Sequence, residues 1–206
     1  MKPVDPPWNS LQPEPVIEAV CTPMSASHRF CALCRGRAAA SVDDSLPRAM
    51  RVTLELGARL HTRGQRGEAI YVVQSGIVKE TTPGPRGAPC IVRLAMRADV
   101  VGLCGLLGVP QHHSATVIQS GAACRVPYQQ ILALRAHDME IVEQLERDWF
   151  NAVEDADRIM AGLNQGSGRS RMARALLYLR STLAPNEPLW LRRADLASLL
   201  AVTPVT

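Results

Sequence analysis

Hydrophobic and polar positions change period along the chain, and the changes divide it. Residues 1–27 hold six prolines and no sustained periodicity, which predicts an irregular lead. Residues 41–55, SVDDSLPRAMRVTLE, allow a short helix before a first strand. From about 56 to 130 short apolar runs alternate with Gly-containing breaks. AIYVVQSGIVKETT predicts a hairpin turning at Ser75-Gly76, and SATVIQSGAACRVPY predicts two strands about a Ser120-Gly121 turn. TTPGPRGAP predicts a loop before a strand over Cys90–Met96. Several short strands with no helix between them predict an antiparallel roll or barrel.

After His137 the period becomes helical. Val142, Leu145, Trp149, Ala152, Ala156, Ile159 and Leu163 follow one another at steps of three and four, a heptad seam. The predicted helix is roughly 40 Å long. A narrow seam between acidic faces predicts a partner helix, hence a homodimer; packing of the helix on its own domain, Trp149 included, is the alternative. Gly166 and Gly168 end the pattern. RSRMARALLYLRSTL predicts a second amphipathic helix, with Met172, Ala175, Leu176 and Leu179 on one face. In RADLASLLAVTPVT, Leu196, Leu199 and Leu200 predict a third. Ala201-Val202 reads as a break, and Thr203-Pro204 as the cap and first turn of a further helix.

Charge sharpens these divisions. The formal net charge of +4 is the balance of +6 over residues 1–135, −6 over 136–163 and +4 over 164–206. A basic C-terminal part suits a polyanion such as DNA. No apolar run reaches the ~18–20 residues of a membrane span, and the Pro-rich start lacks a secretory core. A cytoplasmic protein with no membrane partner is expected, its six cysteines being reduced thiols or metal ligands rather than disulfides. Neither a Walker-type GK[ST] nor a Gly-x-Ser-x-Gly nor a Ser-His-Asp set is present. The only close histidines, His112 and His113, are adjacent and would face opposite sides of a strand. An enzyme, including a metal-dependent one of the cupin type, is not expected.

Four stretches, in order, resemble the Crp/Fnr superfamily of transcription regulators. GEAIYVVQSGIVKE is similar to a strand running into S-G-x-[VI]-[KR]. RADVVGLCGLLG is similar to G-D-x-[VI]-G, with Ala98 in place of the glycine. RSRMARALLYL is similar to E-R-[LV]-A-x-x-[LI], and LRRADLASLLAVTPVT to the start of the helix-turn-helix. The resemblance implies an α+β fold: an antiparallel β-roll sensor like the cyclic-nucleotide-binding domain, a long dimerisation helix and a partial C-terminal helix-turn-helix. The expected boundaries are a Pro-rich, cysteine-bearing segment at 1–40, the roll at 41–135, the helix at 136–163 and the DNA-binding part at 164–206. Arg192, Arg193, Thr203, Val205 and Thr206 are the residues the resemblance assigns to DNA, with RNA polymerase a further partner. The sequence is expected to stop about one turn into the recognition helix, so that this chain alone binds DNA at most non-specifically.

Relatives that bind a cyclic nucleotide use a loop patterned G-E-[LI]…R-[ST]-[AS]. The matching loop here is GLCGLLGVPQHHSAT, with Cys104 near the Glu position and His113 near the Arg position. Imidazole is a poor substitute for a guanidinium fork, so no cyclic nucleotide is expected. The cysteines are instead similar to those of the Fnr-like oxygen sensors. Cys124 lies in CRVPY, similar to C-E-[IV]-P-[FY], and Cys21, Cys31 and Cys34 lie upstream. The resemblance implies a [4Fe–4S] cluster on Cys21, Cys31, Cys34 and Cys124, sensing oxygen or redox state and controlling dimerisation. Four thiolates are a sufficient ligand set. The spacing C-x9-C-x2-C departs from the family's C-x2-C-x5-C, which bears most on Cys21, with Cys104 or Cys90 as substitutes. Crowding of Asp148, Glu154, Asp155 and Asp157 on the helix is expected to make the dimer marginal by repulsion across the seam. The alternatives are a thiol or zinc redox site at Cys31 and Cys34, inert cysteines, and a truncated sensor-dimer module that titrates full-length partners.

Overall fold

The computed structural model describes residues 17–20, 49–84, 89–136, 139–163, 165–183 and 189–200. Its centre is a seven-stranded antiparallel sheet closed into a roll. The strands are β1 (Ile17–Val20), β2 (Met50–Leu54), β3 (Arg59–His61), β4 (Ala69–Pro83), β5 (Pro89–Ala95), β6 (Val100–Val101) and β7 (Ser114–Pro127). The main order is β1-β2-β7-β4-β5, with β3 on β7 and β6 on β4. A 3-10 turn, Leu103–Leu107, lies between β6 and β7. Helices α1 (Tyr128–Arg135) and α2 (Met139–Arg158) follow, and α2 runs into a π turn at Ile159–Leu163. Helices α3 (Gly168–Thr182) and α4 (Arg193–Leu199) complete the described chain.

The roll and the helical periods are as expected, but the two predicted hairpins are not. The stretches through Ser75-Gly76 and Ser120-Gly121 are single long strands, and they pair with each other. Each Ser-Gly is a kink rather than a turn, and the two kinks face one another. Gly76 has φ +83, and a Cβ on Gly121 would stand 2.1 Å from the Ser75 carbonyl oxygen. Backbones this close exclude any side chain. Ser75 Oγ accepts the Ala122 N–H at 3.1 Å, replacing a ladder bond lost at the bend. Between Val73↔Ala123 and Val78↔Val117 the register passes over two residues of β4 and three of β7, so both strands are bulged at the crossing. Tyr71 and Val73, and after the kink Val78, line the roll interior, as do Val117 and Ala123 of β7; β4 exchanges its faces across the kink and β7 keeps them.

The sheet thus has a lined interior and an outer face. Val52, Leu54, Val73, Val78, Val101, Ala115 and Val117 fill the interior. The neighbours one residue away pack outward. Ile70, Val72, Cys124 and Val126 meet the 3-10 turn, α1 and the first half of α2. Beyond the kink, Ile77, Ile91, Leu94, Met96 and Ile118 meet the π turn, α3 and α4.

At the β5–β6 turn, Ala98 has φ 74, the only positive value among described non-glycine residues. This is the position where the family text has glycine. The turn holds Ala98 there by Ala98 N–H to the Val73 carbonyl at 2.8 Å and Met96 N–H to Asp99 Oδ2 at 2.7 Å. An L-residue in this region costs about 1–2 kcal/mol, partly offset by its smaller unfolded-state entropy. Ala98→Gly is expected to stabilise the fold by about 0.5–1 kcal/mol, read as a higher denaturation midpoint; a lower midpoint would contradict the strain.

Candidate functional site

The chemistry of the outer face centres on Cys124. Its side chain is 5% exposed and sits in the cluster formed with Ile141 and Leu145 of α2. Arg51 of β2 is its register partner on one side and Val72 of β4 on the other. Ala19 of β1 pairs with the same Arg51, and Val20 with Met50. The end of β1 is therefore two strand spacings, about 10 Å, from β7. Val20 immediately precedes Cys21 in sequence. Cys21, Cys31 and Cys34 lie outside the described residues. Among the described residues no three His, Cys, Asp or Glu side chains gather into a metal site. Cys90 and Cys104 are half-buried and, like Cys124, form no disulfide.

A buried polar group closes one end of the roll interior. Glu80 and Arg93 are register partners on β4 and β5. Arg93 Nη1 donates to Glu80 Oε2 at 3.1 Å and to the Val100 carbonyl at 2.9 Å, and Arg93 Nη2 lies 3.7 Å from Asp99 Oδ1. Burial pushes the Asp99 carboxyl up to about 6 against the pull of Arg93. The sequence signal for this group was a lone arginine in CIVRLAM, on the same strand parity as the interior Ala95, and it was not singled out.

The loop between Gly102 and Ser114 contains no carboxylate and no arginine. Tyr128 at the start of α1 braces it from below: its hydroxyl donates to the Gly102 carbonyl at 2.6 Å and accepts from Gln111 Nε2 at 2.9 Å. Leu103 and Leu106 turn inward to the core and Cys104 is half-buried. Burial holds the His61 imidazole, beside this loop, below its ordinary pKa.

Helix α2 divides the expected seam. Leu145 is buried against the outer face, Trp149 is partly buried against the same cluster, and Ile159 and Leu163 are buried with α3. Val142, Ala152 and Ala156 are half-buried. The exposed apolar residues are Met139, Phe150, Val153 and Met160, of which Met139, Val153 and Met160 fall on one heptad position, with Glu146 between the first two. The acidic residues divide too. Glu154 and Asp157 are exposed, whereas Asp148 is buried on the side of the roll. The crowding expected across the seam is, for Asp148, crowding against the chain's own roll, where Asp99 lies. Burial pushes Asp148 up to about 7; Gln144 Nε2 donates to its Oδ1 at 3.0 Å, and its Oδ2 has no partner.

The C-terminal helices rest on the far outer face. The Lys79 ammonium donates to the Asp195 carboxylate, and Ser198 Oγ donates to the Pro89 carbonyl at 2.9 Å. Arg171 Nη1 donates to the Leu200 carbonyl at 2.8 Å, joining α3 to the end of α4. Arg192, which precedes α4, and Arg193, its first residue, are exposed. Thr203, Val205 and Thr206 lie outside the described residues. Among the described residues no helix is long and apolar enough to cross a membrane.

Residues 51–138 match the family model of the cyclic nucleotide-binding domain. FixK2 from Bradyrhizobium japonicum has a similar solved structure, with TM-score 0.67 and 20% identity, over 76% of this chain and 79% of that one. A CRP-family transcriptional regulator from Thermus thermophilus gives 0.60 and 20% over 74% and 77%. A β-roll of this type, with a long helix and a C-terminal helical unit, is the fold these proteins share. Among curated proteins, the transcriptional activator protein Anr of Pseudomonas protegens is 24% identical over 126 residues, 61% of this chain and 52% of its own length. Anr of Pseudomonas aeruginosa is 23% identical over the same share. The chain spans about half the length of the curated relatives it matches.

Proposed function

We propose that the chain is the sensing and dimerising part of a cytoplasmic Crp/Fnr-type transcription regulator, not an enzyme, that responds to oxygen or redox state. Cys21, Cys31, Cys34 and Cys124 would hold a [4Fe–4S] cluster, which when bound supplies the sensitivity to oxygen. The observation that carries the reading is the position of Cys124: a soft ligand on the outer face, directly beneath α2. Val20, next to Cys21, supports it by ending β1 two strands away. Any change that draws on Cys124 is felt by Ile141 and Leu145, and through them by the pitch of α2 against the sheet. A loop without Glu or Arg argues against cyclic nucleotide as the signal.

The dimer face of this reading is the exposed stripe through Met139, Val142, Val153, Ala156 and Met160, with Phe150 beside it. It keeps Val142 and Ala156 of the sequence heptad, and its other members lie on the outer side of the helix. DNA contacts in this reading are made by Arg192, Arg193, Thr203, Val205 and Thr206, with RNA polymerase as a further partner.

Anaerobic purification tests the reading. About four irons and four sulfides per chain are expected, with a broad visible absorption that air bleaches. Cys124→Ala is expected to lose most of the iron, and Cys90→Ala to keep it. Sedimentation is expected to show more dimer with the cluster than without, and monomer for Val153→Glu in either state. Iron content indifferent to Cys124→Ala would refute the ligand set. A dimer fraction that does not change with the cluster would refute the coupling.

A further inference from the structure

The roll and the C-terminal helices meet along two seams. One is closed by the outer apolar cluster, the Lys79–Asp195 pair and the Ser198 bond. The other is open. Between the β2–β3 turn, the kink of β7 and the extended segment 189–192 lies a cavity of about 580 Å³. That volume is typical of small-molecule sites. Leu56 and Ile118 form its sensor wall, and Leu189 and Leu191 the opposite one. Trp190 is pinned by its backbone N–H to Gln119 Oε1 at 3.0 Å, yet its side chain is 72% exposed. The segment is fixed while its indole stands uncovered. Among the described residues of the lining, Arg192 is the one that carries a charge, and none of them is a carboxylate. Among the described residues no acidic group pairs with Arg192.

We infer that this cavity binds a small amphipathic organic acid. Its apolar body would lie between the Leu56–Ile118 and Leu189–Leu191 walls and stack on the Trp190 indole. Its carboxylate would take the guanidinium of Arg192, whose planar fork matches two oxygens at once. The walls are apolar, so the ligand needs a hydrophobic body; the single cation with no neighbouring acid sets the sign of its polar end. The size of the cavity suits one compact ring system rather than a peptide or a nucleic acid. Leu56 and Ile118 belong to the sensor, whereas Arg192 abuts α4, so an occupant would fill the joint between the two. The site is on the outside of the roll, apart from Cys124 and from the interior, and does not rest on the iron–sulfur reading.

Isothermal titration of the full chain with 2-naphthoate, and with uncharged 2-naphthamide as its control, tests the inference. Saturable one-site binding of 2-naphthoate is expected, with the amide about tenfold weaker. Arg192→Gln is expected to bring the acid down to the level of the amide and to leave the amide within twofold. Leu56→Asp, at a half-exposed position, is expected to weaken the acid more than the amide without changing the circular dichroism. Trp190→Phe is expected to remove the quenching of tryptophan emission that the acid produces. Absence of saturable binding, or equal affinity for the acid in the wild type and Arg192→Gln, would overturn the proposal.

Discussion

Gly121→Ala is expected to destabilise the protein by several kcal/mol and to give an insoluble or partly unfolded product. The added methyl would meet backbone on three sides: Ser75 O at 2.1 Å, Ser75 C at 2.4 Å and Gly76 N at 2.6 Å. No rotamer change relieves a backbone clash, so one of the two longest strands has to move. Those strands, β4 and β7, form the longest ladder of the roll, and the kink lies in its middle. Overpacking in cores costs typically 1–3 kcal/mol where side chains can yield; here they cannot, and about 4 kcal/mol is the reasonable scale. Gly57→Ala is the matched control. Gly57 has a positive φ, which Gly121 does not, but its added Cβ would meet nothing within 4 Å, so its cost is the conformational one alone, about 1 kcal/mol. Thermal denaturation of the two variants distinguishes them. Equal losses would mean that the crossing of the strands carries no special constraint.

Asp148→Asn is expected to stabilise the protein above neutral pH. Burial is the largest cause of the raised Asp148 pKa, about 7 against 3.8 for the free group, and the neighbouring Asp99 adds to it, while Gln144 and Arg147 oppose it. The folded state therefore binds this proton more tightly than the unfolded chain does. The contribution to stability is fully present below about pH 4 and is lost as pH rises through 7. Three pKa units correspond to about 4 kcal/mol as an upper scale. The amide keeps the shape and the bond to Gln144 without the charge. At pH 8 the variant is expected to gain about 2–4 kcal/mol, and at pH 4 to differ little. Asp99, raised to about 6, bends the same curve in the same direction at a lower pH. Denaturant titrations at the two pH values measure this; a variant that is destabilised at pH 8 would show that the charged carboxylate is compensated in the folded chain.

Periodicity carried the sequence reading well where an element obeys one rule from end to end. The roll, the long helix and the two following helices were legible because their apolar steps of two, or of three and four, run unbroken. The misreadings arose where a period is interrupted. Ser-Gly within an apolar run is written identically for a turn and for a kink, and only pairing across the sheet separates them. Ser75-Gly76 and Ser120-Gly121 each look like the end of a strand, yet each exists to let the other pass. The heptad of α2 was legible as a heptad, but which side would face outward was not. Two stripes share Val142 and Ala156, and the choice between them depends on where the sheet lies. The interior group was hidden for the same reason: Glu80 and Arg93 are thirteen residues apart, and nothing local marks them as partners. Ala98 was the reverse case. The one departure from the family text in that stretch falls on the residue whose backbone has a positive φ, which the substitution alone did not announce.

The π turn after α2 bears on how the protein can be divided. The guanidinium of Arg174, from α3, donates to the carbonyls of Gly162 and Gln165, where the widened turn leaves the backbone short of partners. Ile159 and Leu163 share their apolar cluster with Ala175, Tyr178 and Leu179. A fragment cut between residues 163 and 164 would expose that cluster and strip the turn of its donor. One ending after α3 keeps both. The glycines that interrupt the helical text are therefore no place to divide the protein for engineering, domain swapping or isotope-labelled segments.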